Sequence, residues 1–107
     1  MWIFTPQGFI SAVADRNNPE KIVVRARNPD HLRTMFPDEV ISETNQGDYP
    51  ARVFIDRGRF AGWLYVQAYD LDYTNFKDAI PEDAPAYHDA CVGVWAQMHD
   101  IEPERQR

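Results

Sequence analysis

Asp72-Tyr73-Thr74-Asn75-Phe76-Lys77 sets a carboxylate, a phenol and an amine within six consecutive residues. Such a cluster supplies a base in Asp72, a proton donor in Tyr73 and an anion contact in Lys77, the parts of a small polar site. The same residue types also have purely structural uses. Thr74 or Asn75 caps a new helical turn, Tyr73 and Phe76 plug a seam between sheet and helices, and Lys77 pairs with Asp72 or Asp78. A second set is Arg25, Arg27 and Arg52, which fall on strand-like segments. With Phe54 beside them they make a basic, partly aromatic sheet surface of the kind that binds RNA or a phosphorylated ligand. The competing reading is an open sheet face that meets water or an acidic partner.

The other reactive types form no constellation. A zinc site wants several His, Cys or carboxylate ligands at close spacing. His88 and His99 share a helical side but stand three turns apart, roughly 16 Å along the axis, and His31 is remote in sequence. No metal and no cofactor is expected. Cys91 falls among Tyr87, Val94 and Trp95 on a helical apolar face, which suits a buried thiol that lacks a base to activate it. Ser11 and Ser42 lie in strands without a nucleophile-elbow pattern, and no glycine cluster forms a phosphate-cradling loop. The chain is therefore more naturally a binding protein than an enzyme.

Composition narrows the class further. With 107 residues, 44% of them hydrophobic and 13% aromatic, the chain suits one folded domain over residues 1–100, with a frayed polar tail at 101–107. No apolar run approaches the ~20 residues of a membrane span. A single cysteine and the absence of a signal-like N-terminus suit the cytoplasm. Charge is uneven. Residues 1–59 carry eight acidic and eight basic side chains, whereas residues 60–107 carry nine acidic and three basic. The excess negative charge thus belongs to the C-terminal part, which disfavours non-specific nucleic-acid binding.

The elements that must position these residues follow from local pattern. Trp2–Thr5 and Phe9–Val13 are short β-prone runs joined by Pro6-Gln7-Gly8, a turn sequence. Lys21–Arg27 alternates, with Ile22, Val24 and Ala26 on one face and Val23, Arg25 and Arg27 on the other. Asn28-Pro29 starts a short helix as cap and first residue, and Leu32, Met35 and Phe36 give it an apolar side. Strands are expected at 40–44 and 51–56, joined around Asn45–Asp48. Asp56 is placed to cap a helix over 57–72, and a last helix runs from near Asp83 to His99 with Tyr87, Cys91, Val94, Trp95 and Met98 on one face. Strands arriving in adjacent pairs imply an α+β fold: an antiparallel sheet of about five short strands, with one short and two long helices mainly on one face, loosely ferredoxin-like in its middle.

The helix over 57–72 carries the strongest functional signal. At about 100° per residue, Phe60, Trp63, Leu64, Ala68 and Leu71 make a core face. Gly62, Tyr65, Val66 and Tyr69 fall on the opposite side, where a surface helix should be polar. Either another element of the chain covers them or they form a contact surface. Tyrosine suits interfaces because it offers a large rigid area with a polar tip. Gly62 would let a second helix approach closely, and two-fold symmetry would pair the helix with its own copy.

The opening Met-Trp-Ile-Phe-Thr-Pro-Gln-Gly-Phe, the run Val-Val-Arg-Ala-Arg, the Asp72–Lys77 segment and Tyr87-His88-Asp89 with Val94-Trp95 resemble a family of small single-domain proteins from actinobacteria and their phages. The likeness covers most of the chain. It implies a single soluble domain and supplies no activity, cofactor or catalytic residue; its phage members imply a host-directed accessory role. The expected function is a non-enzymatic protein-interaction module that self-associates as a homodimer or binds another protein. One alternative is a small-ligand site or unrecognised enzyme around Asp72, Tyr73 and Lys77, with His88 nearby. The other is RNA or nucleotide recognition by Arg25, Arg27 and Arg52.

Overall fold

The computed structural model describes residues 1–104. Its elements are β1 (Trp2–Thr5), β2 (Gly8–Ala14), β3 (Lys21–Ala26), α1 (Pro29–Met35), β4 (Ser42–Glu43), β5 (Ala51–Asp56), α2 (Arg57–Tyr69), a 3-10 turn (Lys77–Ala79) and α3 (Pro85–His99). The five strands form one antiparallel sheet in the order β1-β2-β3-β5-β4. Strands β3 and β4 run parallel to each other on either side of β5, and α1 connects them. That is the split β-α-β unit which gives the middle of the chain its ferredoxin-like character.

Local chemistry explains the elements. Thr5 pairs with Gly8 across the Pro6-Gln7 turn. Gly8 has φ +155°, and a Cβ there would stand 2.3 Å from the His31 ring, so no larger residue fits. Asn28 caps α1 by accepting a hydrogen bond from the Asp30 N–H, with Pro29 in the first turn. Asp56 does not cap α2; its carboxylate instead pairs with Lys21 Nζ at 2.7 Å across the β3–β5 register. Strand β4 is only two residues long. Arg33 braces it to α1 by pairing with both Asp30 and Glu43 at 2.6 Å.

One face of the sheet holds the core. Ile10, Ala12, Ile22, Val24, Ala26, Ala51, Val53 and Ile55 lie against Leu32, Met35 and Phe36 from α1 and its end, and against Phe60 from α2. The alternation of strand residues forces this, since odd and even positions point to opposite faces. Trp63 closes the seam, its ring 4.8 Å from Phe36 and 5.8 Å from Phe60. Burial of each large side chain here stabilises by roughly 1.5–3 kcal/mol.

The two long helices use this core only in part. The radius of gyration is 15.5 Å and the extents are 50 × 32 × 32 Å, against about 13 Å for the radius of gyration of a compact chain of 100 residues. Helix α2 ends at Tyr69, and Ala68 and Leu71 are exposed, so its core face stops at Leu64 instead of running to Leu71. Helix α3 begins at Pro85 and sits beside the β1–β2 turn. Tyr87 donates its hydroxyl to the Thr5 carbonyl at 2.7 Å and Cys91 is buried, but Val94, Trp95 and Met98 emerge into solvent. Of the tail, residues 101–104 are exposed after a turn at Ile101, and residues 105–107 lie outside the described residues.

Candidate functional site

Asp56 is the last residue of β5 and Arg57 the first of α2, so strand and helix share one continuous turn of chain. That short connection fixes which side of the helix returns to the sheet. Phe60 is buried, and Trp63 and Leu64 are half-buried beside it, one turn further on. The helix continues beyond the ground that α1 occupies, and its far half loses contact with the core.

Gly62, Tyr65, Val66 and Tyr69 form the side turned away. Tyr65 is 66% exposed, Val66 48% and Tyr69 77%. The two tyrosine rings stack on each other with centroids 5.7 Å apart and an interplanar angle of 14°. They thereby present one flat aromatic slab along the helix, already ordered without a partner. A Cβ placed on Gly62 would meet nothing within 4 Å, so the space next to that slab is open. Tyr65 and Tyr69 are largely exposed and a Cβ on Gly62 meets nothing, whereas Val66 faces Tyr73 and the Thr5–Gln7 turn across a hollow at the end of α2. Leu71 follows the same exposed path.

A second apolar stripe stands on α3. Trp95 is 59% exposed and continues through Met98 to Ile101. Periodicity assigned Val94, Trp95 and Met98 to a core face. The structure corrects this: Cys91 is buried, Val94 and Trp95 border Phe4 of β1 and Phe76 across an open apolar hollow, and all three of Val94, Trp95 and Met98 remain exposed. Burial and the neighbouring Cys91 thiol raise the Tyr87 pKa well above the usual phenol range, so the hydroxyl remains a proton donor to Thr5. His31 lies 5.0 Å from the Tyr87 ring, and its Nδ1 accepts the Phe9 N–H. Burial holds its pKa below the ordinary histidine value. Tyr87, His31 and Gly8 thus form a structural joint between α3, α1 and the first hairpin.

The Asp72–Lys77 cluster does not gather at one point. Asp72 and Tyr73 line a hollow of about 300 Å³ between the Thr5–Gln7 turn and the end of α2. Lys77 and His88 line a different hollow, at the start of α3. Lys77 pairs with neither Asp72 nor Asp78; its Nζ lies 4.8 Å from the centre of the Trp95 ring. Asn75 Oδ1 accepts the Asp78 N–H and so caps the 3-10 turn, while the Tyr73 and Phe76 rings meet edge to face at 6.0 Å.

The three arginines do share one surface, the sheet face opposite the core. Arg25 and Arg52 are direct cross-strand partners. Arg25 donates to Ser11 Oγ at 2.8 Å, and its guanidinium lies 4.5 Å from the Tyr49 ring centre. Arg27 lies 5.1 Å from the same ring and donates to the Asp48 carbonyl. Sequence reasoning missed Tyr49, the buried ring on which both guanidinium groups rest. Its one signal was an aromatic residue just ahead of β5, which periodicity alone could not place. Among the described residues no group of His, Cys, Asp and Glu side chains could hold a metal ion, and no helix is long and apolar enough to cross a membrane. Compared with models of protein families, with curated proteins and with solved structures, the chain matches none.

Proposed function

We propose that this chain is a non-enzymatic interaction module that self-associates through the outer face of α2. The carrying observation is the ordered, uncovered slab of Tyr65 and Tyr69 beside the open space at Gly62. A helix apolar on both sides is stable in water only if something takes the second side. A second copy fits, because the same face supplies both the aromatic slab and, at Gly62, a place without a side chain where a second helix can approach closely. In an isologous pair the two helices cross at Gly62, and each slab packs along the partner's helix beside that crossing. Residues 62–69 contain no charged side chain, so two copies approach here without burying an unpaired charge. The exposed Trp95 and Met98 of α3 offer further apolar area towards the roughly 800 Å² per partner that a stable interface needs.

In the same reading the protein works in the cytoplasm, where its lone thiol stays reduced. A host-directed accessory role would be exercised through this pair or through the same face. Light scattering coupled to size exclusion tests self-association. Wild type is expected at twice the 12.4 kDa protomer mass and the Tyr65→Lys/Tyr69→Lys variant at 12.4 kDa. A monomeric wild type at high micromolar concentration would remove the proposal.

A further inference from the structure

The sheet face opposite the core carries positive charge that the fold leaves unanswered. Arg25 and Arg52 stand directly opposite each other on neighbouring strands, an arrangement in which like charges repel. Neither pairs with a carboxylate; the acidic partners of the described residues go to Lys21, Arg33, Arg59 and His88. The Nε of each arginine is closed off from solvent and donates to nothing. Arg27 is braced alongside by Tyr49, again with no carboxylate. Exposed aromatic rings flank this group: Trp2 on β1 and Phe54 on β5. Their strands lie three spacings apart, ~14 Å across the sheet, with Arg25 on β3, one of the two strands between them, and Arg52 on the strand of Phe54.

An open antiparallel face with flat rings around guanidinium groups matches the needs of an unpaired nucleic-acid strand. Its bases stack on aromatic rings, and its phosphates meet fixed cations. A carboxylate-bearing protein segment would answer the charge but would leave Trp2 and Phe54 without a use. We infer that Trp2, Arg25, Arg27, Arg52 and Phe54 form a binding face for a short single-stranded RNA, with phosphates on the arginines and bases on the two rings. The carboxylates of residues 70–104, nine against the single Lys77, make the site short-range: it holds a few nucleotides and repels a long polyanion. This face is on the other side of the sheet from α2, so it stands or falls independently of self-association.

Fluorescence anisotropy of a labelled RNA hexamer, titrated with the full chain, tests the inference. Three phosphate contacts on a single strand give a log–log salt slope of about −2, so affinity should fall about 20-fold between 50 and 200 mM salt. Arg52→Gln should weaken binding at 50 mM and reduce that fall to about 7-fold, by loss of one contact. Trp2→Ala should weaken binding at least about 5-fold while leaving the salt slope unchanged. Circular dichroism identifies any variant that has lost its fold; Arg52→Lys, which keeps the charge, should retain most of the salt slope. The inference is overturned by no binding at 50 mM salt with 100 μM protein as an upper trial concentration, or by binding that Arg52→Gln and Trp2→Ala leave intact. Equal affinity for a hexaglutamate peptide would assign the face to acidic protein segments, and equal affinity for a mononucleotide would reduce it to a single-phosphate site; either contradicts it.

Discussion

Helix α1 has seven residues and buries two of them, Leu32 and Met35; α2 has thirteen and buries one, Phe60. The difference is not one of apolar content, since α2 carries Phe60, Trp63, Leu64, Tyr65, Val66 and Tyr69. It comes from where each helix lies. Helix α1 lies across β2, β3 and β5, so each apolar residue it offers finds a strand beneath it. Helix α2 follows directly on the end of β5 and buries only Phe60, with Trp63 and Leu64 half-buried; its last two turns border the β1–β2 turn across an open hollow. Helix α3 repeats the pattern, seated at Tyr87 and Cys91 and more than half exposed at Trp95 and Met98. Hydrophobic side chains therefore fall into two classes in one chain: those packed on the sheet hold the fold, and those on the outer sides of α2 and α3 stay exposed.

That contrast can be broken by stability measurements. Leu32 is fully buried, so Leu32→Ala should cost about 2–5 kcal/mol. Val66→Ala, in dilute protein where association is suppressed, should stay within about 0.5 kcal/mol of wild type. Urea denaturation followed by tryptophan fluorescence measures both. A Val66→Ala penalty comparable with that of Leu32→Ala would mean that the outer face of α2 is folded into the protomer after all.

A smaller effect sharpens the contrast at the joint between α3 and the sheet. His31 has a pKa below its ordinary value because the ring is partly buried. Its neutral form is therefore favoured by folding. The associated stability is present above the unfolded value of about 6.5 and is lost as pH falls through the lower folded value. The urea midpoint should decline as pH drops below about 6.5, and His31→Gln should flatten that part of the profile. An unchanged decline in His31→Gln would place the proton uptake elsewhere.

Much of the fold was legible in the sequence, for local reasons. The alternation in Lys21–Ala26, the Asn28-Pro29 start and the Pro6-Gln7 turn each depend on a few adjacent residues, and each appears where the pattern puts it. The shared side of Gly62, Tyr65, Val66 and Tyr69 follows from the same periodicity, whereas whether another element covers it did not. Two things were not legible. Periodicity reveals that Val94, Trp95 and Met98 share a side but not that the seat of α3 on β1 leaves this side exposed, because helix placement is a long-range property. Cross-strand placement of Arg25 against Arg52 depends on the β3–β5 register, which the intervening α1 and β4 set. Asp56 illustrates competition of the same kind: a residue suited to cap α2 is taken by Lys21 on the neighbouring strand.

The most direct test of the α2 interface is a covalent one. In an isologous pair Gly62 lies close to its own copy, so Gly62→Cys in a Cys91→Ala background should form a disulfide-linked species under mild oxidation. On a non-reducing gel that species should run at twice the 12.4 kDa protomer mass. Gly58→Cys, exposed on the same helix at its sheet end, should cross-link far less. A Gly62→Cys chain that stays at the protomer mass, or that cross-links no faster than Gly58→Cys, would contradict pairing through this face.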